Sequence, residues 1–278
     1  MTTATKRVFV VPFNEAVLGK TGSHPVAVRT NDPGEISRIA ASVSADRLHC
    51  IEVSSDSLAG LDFKKEWLAL PLVFRLKRAG RLLDSIPALE TLRGAAARFY
   101  FPATPENITA ARVLSSLMVK TGLLLDGEGA DWDALEDLVV YDSCGKVPHS
   151  SVEPFRYVYA EYKNRQADYN ELYLEKEGTF YHCDAQGNVA LSGAALAGGD
   201  FIGTLDKADA IDFSACSLAA REKRRAPLLK FEGCAVCPGW LACGYRNSAK
   251  PETCGMKPFM TALLDAAEQV NKNADHNI

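Results

Sequence analysis

Long apolar runs are missing from this chain. No stretch of about 18 consecutive apolar residues occurs in it, so a membrane-spanning helix is not expected. The opening MTTATKRVFVVPF carries a basic pair but no apolar segment ending at a small-residue cleavage site. A secretory signal is therefore not expected, and the cytoplasm is the expected compartment. An excess of one charge is missing too. The 31 Lys and Arg against 35 Asp and Glu leave a formal charge of -4, with no overall field to draw in nucleic acid or an anionic membrane surface. Neither partner is expected. Internal repeats and low-complexity tracts are absent as well.

What remains is enough for a large core: 278 residues, 47% of them hydrophobic. The first half alternates short β-branched runs with helical stretches. RVFVVPF (7–13), LHCIEVSS (48–55), PLVFRLK (71–77), ARFYFPA (97–103) and TGLLLD (121–126) read as strands, and NDPGEISRIAASV, LLDSIPALETLRG and TPENITAARVLSSLMVK as the helices between them. In the last of these, Thr104 is placed to cap, Pro105 fits the first turn and Glu106 meets the helix dipole; Ile108, Val113, Leu114, Leu117 and Met118 form the expected apolar face. Such βα units build an α/β domain, as an open doubly wound sheet or an incomplete barrel. SVEPFRYVYAEYKNRQAD (151–168) predicts one more helix, with Phe155, Tyr157, Val158 and Tyr162 inward. Beyond it, ELYLEKEGTFYHCDAQGNVALSG reads as successive strands turning at Gly187, which can take a positive φ. A Gly- and Ala-rich loop, the basic AAREKRRAPLLK, a cysteine cluster and the closing helix KPFMTALLDAAEQVNK follow, which places a domain boundary near 168.

Eight cysteines without an export signal point to reduced thiols rather than a disulfide framework. Cys50, Cys144, Cys183 and Cys216 are scattered and read as small buried hydrophobes. Cys234, Cys237, Cys243 and Cys254 are spaced C-x2-C-x5-C-x10-C within FEGCAVCPGWLACGYRNSAKPETCG. A two-residue gap lets one tight turn aim both sulfurs at a single ion, with Gly233, Pro238, Gly239 and Gly244 supplying the turn geometry. Four adjacent thiolates repel unless a cation neutralises them, so the cluster predicts metal binding. Zinc ribbons usually repeat the short gap, which this second pair does not. The spacing alone leaves zinc and an iron–sulfur cluster both open.

The order of parts from about residue 169 to 260 resembles the SPASM domain, the cluster-bearing C-terminal extension of radical SAM enzymes that modify peptides. A hairpin with the GNVALS strand leads through a small-residue loop to FIGTL, a helical segment and the cysteine knuckle. The resemblance implies two auxiliary 4Fe-4S clusters. Cys234, Cys237, Cys243 and Cys254 match the ligands of one. For the other, Ser192 and Asn247 stand where cysteines are expected, and ELYLEKE (171–177) has none. Radical SAM barrels also carry C-x3-C-x2-C after their first strand; here that stretch is NEAVLGKTGSHPVA, and no C-x3-C-x2-C exists anywhere in the chain. Asn14, Ser23 and His24 cannot replace three thiolates. The resemblance thus implies a degenerate, partial (β/α) barrel over residues 1–168 and a small SPASM-like cluster-binding domain over 169–278. The expected role is that of a non-SAM-cleaving companion of the GeoRSP type rather than an independent enzyme. It would bind one 4Fe-4S cluster and meet a radical SAM enzyme and its precursor peptide, for electron transfer or docking. The alternative is a zinc-stabilised scaffold or peptide-binding protein with no redox role.

Other residues have plainer readings. His182 and Cys183 are adjacent on a strand and face opposite ways, so a satisfied or exposed histidine is expected rather than a second metal site. Cys183 with Cys216 could rebuild part of the missing ligand set, but packing is the expected role of both. Cys144 with His149 lacks any flanking nucleophile motif. Arg221, Lys223, Arg224 and Arg225 read as a solvated helix face, and the acidic GEGADWDALED (127–137) as a helix start.

Overall fold

Val8, Phe9, Val10 and Val11 are all buried, so the first strand is covered on both faces, as strands of parallel sheets are. The computed structural model describes residues 7–56, 63–79, 93, 95–125, 130–145, 147–162, 168–228, 230, 232–239, 243 and 254–276. Within these the chain is α/β. Its strands are β1 (Val8–Pro12), β2 (Val26–Thr30), β3 (Leu48–Ser55), β4 (Leu72–Leu76), β5 (Arg98–Pro102), β6 (Thr121–Leu124), β7 (Phe180–Cys183), β8 (Asn188–Ala190) and β9 (Gly203–Thr204). They form one nine-stranded sheet in the order β6-β5-β4-β3-β2-β1-β7-β8-β9. Every pairing from β6 to β7 is parallel, and β7–β8 and β8–β9 are antiparallel. From β1 to β6 the order never reverses. The sheet also runs unbroken across residue 168, because β7 pairs with β1 in the register Val8↔Phe180 and Val10↔His182.

The helices are α1 (Glu15–Lys20), α2 (Ile36–Ser42), α3 (Pro105–Ser116), α4 (Trp132–Cys144), α5 (Phe155–Glu161), α6 (Gly193–Ala197), α7 (Phe213–Leu228), α8 (Glu232–Ala235) and α9 (Met256–His276). One face of the sheet, carrying Phe9, Val28, Ile51, Phe74, Phe99 and Leu123, packs under Ile36, Ile39, Ile108, Leu114 and Leu135 of α2, α3 and α4. Phe74 and Phe99 stack there with ring centroids 5.1 Å apart. Burying each such ring stabilises the fold by about 1.5–3 kcal/mol. The closing helix α9 packs on α4 and α5, with Phe259 between Trp132 at 5.8 Å and Phe155 at 5.9 Å. The opposite face carries Val8, Val10, Ala27, Cys50 and Phe180, and the irregular segment after α5 covers it through Leu174.

Several expectations are corrected. The stretch after β1, expected to be a loop, contains α1, whose start is capped by Asn14 accepting from the amides of Ala16 and Val17. It leads into β2, a strand not expected from the sequence. On α3, Asn107 is buried while Val113 and Met118 are 43% and 47% exposed. The Asn107 side chain donates to the carbonyls of Lys77 and Pro102 and accepts from the Ala79 amide, so a polar residue fills the inner face. Met118 lies past the helix end at φ 64. Thr104 occupies the N-cap position without a side-chain hydrogen bond. The helix expected over 151–168 is confined to Phe155–Glu161, and ELYLEKE is not a strand. It opens with a 3-10 turn at Tyr169–Glu171, where Asp168 accepts from the Asn170 amide. The hairpin turn does place Gly187 at φ +90. The helix expected over 82–94 lies, apart from Arg93, outside the described residues.

Candidate functional site

Cys234 sits in the single turn of α8, and the Cys237 amide donates to its carbonyl at 3.2 Å, so the C-x2-C pair folds as a tight turn. The Cys243 amide donates to the carbonyl of Gly239 at 2.8 Å. Gly239 itself lies against α9, where a Cβ would come within 2.5 Å of the Met260 Cβ; only glycine allows the turn to seat so closely. Cys254 precedes the start of α9. The Cys243 carbonyl accepts from the Asn170 side chain at 3.1 Å. The buried Tyr169 hydroxyl lies beside Cys243 and donates to Met256 Sδ at 3.7 Å. Burial first, and then the Cys243 charge, hold that hydroxyl well above its ordinary value.

The four thiols act on one another. Burial pushes the Cys234 thiol up, and the charges of Cys254, Cys237 and Cys243 push it further. Burial also raises the Cys237 thiol, with Cys243 and Cys254 adding to the effect against the Gly239 amide and Lys257. This is the electrostatic conflict that a soft cation relieves, so the donor chemistry fits a sulfur-ligated centre. The sulfurs are neighbours without being gathered at ligand distance: among the described residues, no group of three or more His, Cys, Asp or Glu is placed to hold a metal ion. Residues 240–242 and 244–253 of the knuckle, with Asn247, lie outside the described residues.

The remaining candidates take structural places. Ser192 caps α6 by accepting from the Ala195 amide at 3.1 Å. Cys183 is buried, and burial followed by the Asp184 charge pushes its thiol up to about 12. Cys216 is half-buried. Cys144, expected to be buried, is instead exposed, because it is the last residue of α4; His149 Nε2 lies 3.5 Å from Asp142. Arg221, Lys223 and Arg225 are exposed on α7, with Arg221 4.0 Å from Glu177.

A second constellation has no signal in the local sequence. Glu52, 2% exposed in the middle of β3, holds Arg29 of β2 at 2.7 Å and Arg75 of β4 at 2.8 Å. The Arg29 contact is a charge contact, too poorly aligned for Nε to donate a hydrogen bond. Arg29 Nη1 donates to His182 Nδ1 at 3.1 Å. His182 Nε2 donates in turn to the Leu174 carbonyl at 2.9 Å and lies 3.4 Å from Glu175. His182 is thus fully buried and satisfied in its neutral tautomer. Arg75 Nη2 donates to the Tyr173 carbonyl, tying the lattice to the covering segment. These side chains lie in sheet register and on one face (Arg29↔Glu52, Ser54↔Arg75), an arrangement visible only once the strands are paired.

No family model and no curated protein matches the chain. Among the described residues, no helix is long and apolar enough to cross a membrane.

Proposed function

We propose that this protein is an accessory component of a radical SAM peptide-modification system. It holds one auxiliary 4Fe-4S cluster through Cys234, Cys237, Cys243 and Cys254, and it serves electron transfer or docking of the catalytic partner and its peptide. The observation that carries this reading is the C-x2-C-x5-C-x10-C spacing of four thiols, which matches one SPASM cluster, with the first pair folded into one tight turn. The fold is consistent with it: six consecutive strands pair in parallel and in unreversed order, with a helical layer on one face, as the proposed partial (β/α) barrel over residues 1–168 requires. The antiparallel β7–β8–β9 and the knuckle then form the SPASM-like portion over 169–278. Two further observations support a non-catalytic role in SAM cleavage. The chain lacks C-x3-C-x2-C. Toward the C-terminal strand ends, where barrel enzymes place their chemistry, Arg29, Glu52, Arg75 and His182 are engaged with one another.

A bound cluster supplies one-electron chemistry, and four thiolate ligands leave no iron corner open to substrate. The chain's own part is to hold those ligands: the Cys234–Cys237 turn, the Gly239 seat on α9 and the Asn170 clamp on Cys243 fix three of them against the fold. The test is anaerobic reconstitution with metal and sulfide analysis. Expected are about four irons and matching sulfide per chain, with broad absorption near ~400 nm, all lost when any of the four cysteines is changed to Ala. Stoichiometric zinc without sulfide would instead make the protein a zinc-stabilised scaffold, and a metal-free chain would sink both. Co-purification with a cysteine-bearing radical SAM partner tests the docking role.

A further inference from the structure

The sheet face that carries the charge lattice also contains a cavity. It has a volume of about 760 Å³ and opens at the other end of the strands, where β3, β4, β5 and β6 begin. That size lies within the range of small-molecule sites, roughly 300–1,000 Å³. None of its lining residues is a cysteine of the knuckle, so its occupant is a separate question from the proposed cluster.

Its walls are of two kinds. Leu72 and Val73 of the sheet and Leu172 and Leu174 of the covering segment make an apolar floor and roof. Three cations surround it: Arg98 from β5, Lys120 just before β6, and Arg156 from α5. Neither Arg98 nor Arg156 forms an ion pair among the described residues. Lys120 donates to the Ala95 carbonyl at 3.0 Å and has two protons left to give. Two carboxylates also line the space, fewer than the three cations. Glu171 is occupied by Lys176 at 2.6 Å and by the Tyr157 hydroxyl, which donates to it at 2.9 Å. Glu153 is fixed at the sheet edge, its amide donating to the Thr121 carbonyl and its carbonyl accepting from the Leu123 amide. Its carboxylate accepts from the Tyr157 amide at 3.2 Å and feels the charges of both Arg98 and Arg156, so it faces these cations from the same wall.

We propose that this cavity is a binding site for a small amphipathic anion, an apolar body carrying a carboxylate or phosphate head. The head is held between the Arg98 and Arg156 guanidinium groups with Lys120 adding charge, and the body lies against Val73 and Leu174. Arginine suits this role because its planar fork grips either head bidentately.

Isothermal titration of the full chain with octanoate and with octyl phosphate tests the site, with octanol as the uncharged control. Expected is saturable 1:1 binding of at least one anion and none of octanol. The preferred head group distinguishes a carboxylate ligand from a phosphate ligand. Arg98→Ala and Arg156→Ala should each weaken binding by about tenfold or more, the size of a lost charge-assisted hydrogen bond. Both side chains are exposed, so the variants should unfold at the wild-type temperature, a control for folding. Ala160→Trp, at an exposed α5 position on the cavity rim, should block entry. Absence of saturable binding by both anions would overturn the proposal, as would binding that survives both arginine substitutions.

Discussion

The side-chain amide of Asn170 donates to the Cys243 carbonyl across 3.1 Å, and to Asp168 Oδ1 at 2.6 Å. One buried side chain therefore joins the cysteine knuckle to the segment that covers the sheet. Asn170→Ala leaves the Cys243 carbonyl without that donor and should destabilise the protein by about 1–3 kcal/mol. Urea denaturation measures the loss. The metal-loaded variant should also surrender its metal to a chelator faster than the wild type, whereas unchanged retention would show the clamp to be irrelevant to the knuckle.

Glu52 bridges Arg29 and Arg75 across three adjacent strands. Glu52→Ala leaves two guanidinium groups, 30% and 20% exposed, without their shared carboxylate and should cost about 1–3 kcal/mol. The expected readout is a lower denaturant midpoint at unchanged slope. A midpoint within error of the wild type would mean that water, rather than Glu52, satisfies the arginines.

Asp142 gives stability a pH dependence. Its carboxyl is pushed above the ordinary value of 3.8 by burial, against the pull of the Val152 amide and of His149. The folded chain therefore keeps this proton over a window in which the unfolded chain has already released it. The group's contribution to stability is greatest below 3.8 and declines as pH climbs toward the raised value. Asp142→Asn retains an acceptor for the Val152 amide and cannot ionise. Relative to wild type it should gain stability at neutral pH and gain none in acid. Chemical denaturation across the acid-to-neutral range checks this, and a pH-independent difference would contradict it.

Thiol labelling should separate the eight cysteines. Cys50 and Cys183 are each 4% exposed, and burial first of all pushes both thiols up to about 12. Alkylation of the native protein near neutral pH should spare both and modify exposed Cys144 first. Metal loading should protect Cys234, Cys237, Cys243 and Cys254 while leaving Cys144 reactive, as read by peptide mass spectrometry. Modification of Cys50 at the rate of Cys144 would contradict its buried placement.

Seven of the strands and the closing helix are legible in the sequence because their signals are local: β-branched runs for β1, β3, β4, β5 and β6, the turn at Gly187 for β7 and β8, and an apolar stripe for α9. β2 is not, because VAVRT is short and follows His24 and Pro25 in a segment that reads as a loop. With it goes Arg29, which looks like a surface charge until Glu52 is seen beside it in register. The α3 face misleads for a similar reason. Asn107 reads as outward-facing by residue type, yet three backbone groups from Lys77, Ala79 and Pro102 satisfy it inside. The cysteine grouping is legible from spacing alone. Its attachment through Asn170 and Gly239 is not, because those contacts join residues far apart in sequence.

The parallel pairing of β1 with β7 sets an order of assembly. β1 emerges from the ribosome early, but the partner for one of its edges, Phe180–His182, is made only after all the crossover units between them. Until then a buried-type strand of four consecutive apolar residues, Val8 to Val11, stands with unpaired amides and carbonyls on that side. Completion of the sheet therefore waits on one of its most sequence-distant contacts, which makes folding slow and leaves the nascent N-terminal half exposed to edge-to-edge association. A chain cut short before β7 inherits that exposed edge permanently.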